Sequence, residues 1–164
     1  MRKRFELVGL ALVVAVCMTG TDVCAQAKTE LSVCTFNVRY DNPADTITWN
    51  ERKNEVALAM RYFDIVGVQE VLPNQYDDLK TTLPKHASFG TGRNADGSGE
   101  ACPIFWNADR FDFLRGETRW LSLNPKLHGS VGWDADLPRI ATLVVLFDRK
   151  RQQTIRVINT HWSH

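Results

Sequence analysis

Two kinds of hydrophobic pattern alternate along the chain. Leu31 to Val38 (LSVCTFNV) is short, β-branched and aromatic, and predicts a strand. Arg39 to Thr48 is polar, with Asn42-Pro43 as a turn signal. Trp49 to Tyr62 switches to helical spacing, with Val56, Met60 and the following Phe63 on one face and Trp49 and Arg52 near it. Asp64 to Glu70 (DIVGVQE) is almost wholly apolar and ends in two polar residues. That is the pattern of a strand buried on both faces whose C-terminal end opens into a site. Pro73 starts a second helix, PNQYDDLKTTL, stopped before Pro84.

The second half is richer in strands. Gly90 to Gly99 has loop composition. Glu100 to Trp106 and Phe111 to Leu121 predict strands with a turn at Ala108-Asp109 between them. Asn124 to Leu137 is irregular and holds Trp133. Arg139 to Asp148 and Thr154 to Thr160 predict strands joined by the charged hairpin Arg149 to Gln153. There is no internal repeat and no low-complexity tract. Alternation of buried strands with helices places the chain in the α/β class.

The first residues belong to a different pattern. Arg2, Lys3 and Arg4 precede an apolar stretch from Leu7 to Met18, too short to span a bilayer comfortably. A polar segment and the triplet Ala25-Gln26-Ala27 follow, which is a small-x-small cleavage site. Residues 1–27 therefore read as a secretory leader, with an uncleaved anchor as the alternative. A lipoprotein leader fits less well, because Val16 and Val23 precede Cys17 and Cys24 where a small residue is needed. An exported protein, periplasmic or extracellular, is expected, with residues 28–164 as its one domain.

Removing the leader changes the charge balance. Of 20 basic and 19 acidic residues, 17 of each remain. Nothing in that balance favours a long nucleic-acid backbone as partner. Cys34 and Cys102 are the cysteines left, and strand parity points them to opposite faces, so two free thiols are expected.

Polar residues at the ends of apolar strands carry the candidate chemistry. Asn37 ends the first, Glu70 the second, Glu100 opens a third and His161 closes the last. An amide and a carboxylate are hard oxygen donors suited to Mg²⁺ or Ca²⁺, and no Cys/His cluster of zinc spacing precedes the terminal histidines. A histidine with a carboxylate to fix its tautomer is an acid/base pair. Together they suggest metal-assisted hydrolysis of a phosphoester. Each residue alone has an ordinary role: Asn as turn former, Glu as solvated charge. His164 reads as an auxiliary or exposed residue, Arg149 to Arg151 as a solvated hairpin tip, and Trp120 and Trp133 as core or rim.

At these residues the sequence resembles the endonuclease/exonuclease/phosphatase family, which includes pancreatic-type deoxyribonuclease, bacterial sphingomyelinases and inositol-polyphosphate phosphatases. The resemblance lies in TFNVRY (Thr35–Tyr40), DIVGVQEV (Asp64–Val71), GRNADGSGEACPIFW (Gly92–Trp106), LPRIATLVVL (Leu137–Leu146) and NTHWSH (Asn159–His164). Trp120–Pro125 and Gly132–Asp134 resemble segments of a secreted bacterial branch.

The resemblance implies two facing mixed β-sheets flanked by helices, the deoxyribonuclease I-like sandwich. It implies a hydrolase using Mg²⁺, with Mn²⁺ or Ca²⁺ as alternatives. Glu70 and Asn37 would hold the metal, Asn37 and Arg139 the substrate phosphate, and His161 with Glu100 would be the catalytic pair. The substrate would be a phosphate ester: nucleic acid, phospholipid head group or sugar phosphate. No stable protein partner and no integral membrane segment are implied.

The family's Gly-Asp-x-Asn and final Ser-Asp-His motifs are not found within residue 164. Ser163 stands where close relatives often have Asp, and Ala101 where an aromatic is common. The expectation is a fragment lacking the C-terminal half of the fold, and inactive alone. A non-catalytic exported binding module on the same fold is the alternative.

Overall fold

The computed structural model describes residues 30–162. The expected leader, Ser163 and His164 lie outside the described residues.

Strand β2 (Ile65–Gln69) organises the first sheet. All five of its residues are buried, as its uninterrupted apolar run requires. It pairs in parallel with β1 (Val33–Asn37), Asn37 standing opposite Gln69. The connection between them holds helix α1 (Trp49–Met60), and helix α2 (Pro73–Thr82) follows β2 with Pro at its start. Strand β3 (His86–Phe89) and strand β4 (Ile104–Asn107) complete a mixed sheet of order β1-β2-β4-β3. The second sheet is antiparallel through its three described strands, β5 (Phe111–Trp120), β6 (Ile140–Asp148) and β7 (Gln153–Thr160).

Alternation along β2 and β4 divides the core. Val66, Val68 and Phe105 face the helices and pack with Val56, Ala57, Met60 and Leu79. Ile65, Ile104 and Trp106 face the other way and pack on Phe111, Val144 and Leu146. The two sheets thus form a sandwich, with both helices outside the first. Near β3 and β5 it is closed by aromatic stacking: Phe89 and Trp106 lie 5.8 and 5.4 Å from the Phe113 ring. At the other side β2 faces β7, and both β1 and the far edge of β7 lack a neighbouring strand among the described residues. Val33 and Ile158 are exposed there.

The predicted two-sheet architecture is therefore present, with three local differences. Glu100 does not open a strand. The ladder of β4 begins at Ile104, because Pro103 has no N–H to donate, and only Ala101 makes isolated bridges, to Val71 and Gly92. Strand β3 was not expected; it is four residues long and no residue in it is fully buried. Helix α1 ends at Met60, two residues before the expected Tyr62.

Cys34 and Cys102 are both free thiols, as expected. Cys34 packs with the helix-side core, while Cys102 lies with Trp120 and Ile140. Among the described residues no helix is long and apolar enough to cross a membrane.

Candidate functional site

Topology alone brings the predicted residues to one end of the sandwich. Parallel β1 and β2 finish there, on Asn37 and just before Glu70. Antiparallel β4 starts there, so Glu100 precedes it at the same end. In the second sheet β6 starts just after Arg139, and β7 runs back to finish just before His161.

Glu70 turns sharply out of the buried strand, with φ 61°, a left-handed backbone that a residue with a β-carbon adopts only when its surroundings impose it. The Asn37 amide donates to Glu70 Oε1 at 2.7 Å, and the Tyr40 N–H donates to Oε2 at 3.1 Å. Asn37 Oδ1 in turn accepts the Arg39 N–H at 2.9 Å. Burial raises the Glu70 pKa. These hydrogen bonds and the nearby His161 and Arg39 charges outweigh it, and the net result lies below the usual carboxylate value. Glu70 is an anion at neutral pH.

The loop that supplies the Tyr40 N–H is tied down from beneath. Gln75, fully buried on α2, donates to Arg39 O at 2.9 Å and accepts from Asp41 N at 3.0 Å. Arg52 on α1 donates to the carbonyls of Val38, Arg39 and Tyr40. The expected packing of Arg52 against this loop is thus a set of backbone hydrogen bonds.

Glu100, Arg139 and His161 line a common cleft with Arg93 and Cys102. Arg93 grips Glu100 as a fork, with N–O distances of 3.1 and 3.2 Å. Arg139 Nε is buried with no hydrogen-bond partner. A buried guanidinium nitrogen without an acceptor is costly, and an incoming oxyanion would satisfy it. Burial pushes the Cys102 thiol up to about 12, so a thiolate nucleophile is not part of this cleft.

One residue at the centre was not among the predicted ones. Asn159, buried in β7, donates to Val68 O at 2.7 Å and to Pro103 O at 3.0 Å, and accepts from Gln69 Nε2 at 2.7 Å. A single amide therefore joins the strand ends that lead to Glu70, Glu100 and His161. Its room is made by Gly67, where a β-carbon would lie 2.9 Å from Asn159 Cγ. Asn159 shares parity with the inward-facing Ile155 and Val157, and a polar residue at a core position signals a required partner.

The donor set suits a hard cation. Among the described residues no three His, Cys, Asp or Glu side chains gather as a metal cluster. Mg²⁺, however, is commonly held by one or two carboxylates and completed by water and phosphate oxygens. Ionised Glu70, with lone pairs remaining on both oxygens, and the Asn37 amide oxygen fit that requirement.

Several solved structures share this architecture. An endonuclease/exonuclease/phosphatase from Bacteroides vulgatus is 40% identical, with a TM-score of 0.80 over 84% of this chain and 54% of its own. A mannosyl-6-phosphatase from Bacteroides thetaiotaomicron is 33% identical, with a TM-score of 0.78 over 82% of this chain and 52% of its own. TDP2 from D. rerio, crystallised with a single-stranded DNA product, has a TM-score of 0.60 at 18% identity over 82% of this chain and 46% of its own, a likeness of fold alone. No family model and no curated protein matches the sequence. The chain spans about half the length of the solved structures it matches. The order of its motifs, its two-sheet topology and its likeness to bacterial members at up to 40% identity lead to one assignment: the chain belongs to the endonuclease/exonuclease/phosphatase family.

Proposed function

We propose that the protein is an exported Mg²⁺-dependent phosphoester hydrolase. The observation that carries this reading is the meeting of the ionised Asn37–Glu70 pair with the Arg139–Glu100–His161 cleft at one end of the sandwich. Family members named as phosphatases support the reaction class. The basic, apolar and small-x-small order of residues 1–27 supports export.

Each side chain has a distinct task. Glu70 and the Asn37 amide oxygen would hold the metal, which supplies Lewis-acid charge for the phosphoryl oxygens. Arg139 presents a buried, unsatisfied N–H to the phosphate and fixes its orientation. His161 carries the proton exchanged during water attack and leaving-group departure. Glu100, steadied by Arg93, keeps the cleft polar and negative beside the imidazole.

The test is Glu70→Gln in the protein encoded by the full reading frame. Phosphate release should fall by more than the 10–100-fold typical of residues that merely support a metal ligand. Mg²⁺ should raise the melting temperature of the wild type and not of the variant, since only a bound ligand stabilises the fold. Undiminished turnover at saturating Mg²⁺ would remove Glu70 from the site. His161→Ala should lower the rate more than Glu100→Gln, because the first removes the proton carrier and the second only its neighbour.

A further inference from the structure

The tryptophans of the described chain fall into two groups. Trp49, Trp106 and Trp120 are buried in the core, whereas Trp133 and Trp162 are 67% and 75% exposed. Both exposed indoles line one cleft of about 200 Å³, together with Leu121, Gly132, Ala135 and Arg139. Arg139 also lines the cleft of Glu100 and His161, so the two clefts meet at one guanidinium.

Trp133 is held there against its backbone preference. A turn closed by the Ala135 N–H on Gly132 O has Trp133 and Asp134 at its centre, with φ of 54° and 61°. Such a left-handed pair normally calls for Asn, Asp or Gly, and a bulky aromatic is strained in it. The turn is seated closely: a β-carbon on Gly132 would lie 2.6 Å from Ser122 Cα. Since most of the indole is exposed, packing does not explain why a strained position carries Trp.

We infer that this cleft receives the sugar ring of a phosphorylated monosaccharide, with Trp133 as the face on which the ring stacks and Arg139 as the link to the phosphate. The inference rests on the phosphoester reading above and specifies its leaving group. The cleft is smaller than the roughly 300–1,000 Å³ of pockets for drug-sized ligands, and suits one ring. Its walls are indole and aliphatic surface, which match the C–H face of a pyranose while the hydroxyl edge stays in water. A nucleobase also stacks on Trp. Reading its edge, however, needs amide, hydroxyl or carboxylate side chains, and the only polar side chain lining this cleft is Arg139. Because that same arginine faces the phosphate, the ring must lie within a few bonds of phosphorus. A hexose 6-phosphate meets that requirement, whereas a base stands off across a ribose.

The experiment uses the full-reading-frame protein with Mg²⁺ and compares glucose 6-phosphate and mannose 6-phosphate with acyclic glycerol 3-phosphate and with adenosine 5′-monophosphate. Trp133→Ala should lower kcat/KM for the hexose esters about 10–50-fold, mainly through KM, and change glycerol 3-phosphate less than about twofold. Trp133→Phe should recover most of the loss. In EDTA, hexose 6-phosphate should quench tryptophan fluorescence in the wild type and not in Trp133→Ala. Equal losses on all esters, or no hexose 6-phosphate binding, would overturn the inference while leaving glycerol 3-phosphate turnover to support the phosphoester reading. A loss confined to adenosine 5′-monophosphate would overturn the sugar assignment. Absence of turnover on every ester, with fluorescence quenching intact, would strike the phosphoester reading and spare the ring site.

Discussion

The two ends of the sandwich each carry an arginine among carboxylates, and they differ in what is left over. At the end away from the site, Arg110 is 2% exposed as a side chain and Asp148 is 0%. Arg110 spends its N–H groups on both oxygens of Asp148, on Asp64 Oδ2 and on Glu30 O. Asp148 also accepts from the Lys150 and Arg151 N–H groups, and Asp64 from Ser32. Everything charged there is matched from within the fold. At the site end, Arg139 keeps a buried N–H without an acceptor, and Glu70 turns out of its strand on a left-handed residue with lone pairs to spare. Buried charge by itself does not distinguish a site from a structural clamp. Unmatched hydrogen-bonding capacity does.

The comparison is broken most severely by removing one partner of the closed cluster. Asp148→Ala strands a buried guanidinium and should cost about 3–5 kcal/mol. Denaturant titration should show the loss, and activity per folded molecule should stay at the wild-type level. Glu70→Gln should do the reverse, with turnover lost and stability nearly kept. A stability loss for Glu70→Gln equal to that of Asp148→Ala would show that both ends are structural clamps.

Asn159 tests whether the site end depends on a matched group beneath it. Asn159→Ala leaves Val68 O without its side-chain donor in a buried position, a defect that typically costs about 1–3 kcal/mol. His161 lies two residues further on, so turnover should fall about 10–100-fold from misplacement alone. Gly67→Ala approaches the same amide from the other side, with its new β-carbon 2.9 Å from Asn159 Cγ, and should lower activity in the same way. Full activity in both variants, measured under conditions where they remain folded, would show that the amide does not set the position of His161.

These contrasts also explain what was legible in the sequence. Strand β2 was plain because both of its faces are buried and its run is continuous. The set Asn37, Glu70, Glu100, Arg139 and His161 was found because all five sit at strand ends or family motifs. Strand β3 was not legible, since HASF is short and only part-buried. The break before β4 depends on Pro103, whose carbonyl accepts from Val68 N and Asn159 Nδ2. The Arg93 fork on Glu100 and the Asn159 clamp join residues that are distant in sequence or separated by a loop, and no local period encodes them. Trp133 was placed between core and rim. Only the backbone of its turn shows that it faces outward.

The finest test is acid. Asp148, Asp64 and Glu70 all have folded pKa values below their usual ones. In each case burial pushes upward, and hydrogen bonds with positive charge pull further down. Between the folded and unfolded values the unfolded chain binds more protons. The stabilisation is therefore complete above the unfolded pKa, about 3.9 for Asp and 4.3 for Glu, and is lost as pH falls through the folded value. Urea midpoints in EDTA from pH 6 down to pH 2.5 should fall steeply in the wild type. Asp148→Asn should flatten the curve most, because Asp148 accepts from two Arg110 nitrogens and two backbone N–H groups. Glu70→Gln should flatten it least, because Glu70 receives one side-chain amide and one backbone N–H. If Glu70→Gln flattened it as much as Asp148→Asn, the Glu70 carboxylate would be as fully matched by the fold as Asp148. The capacity assigned here to a metal would then already be spent.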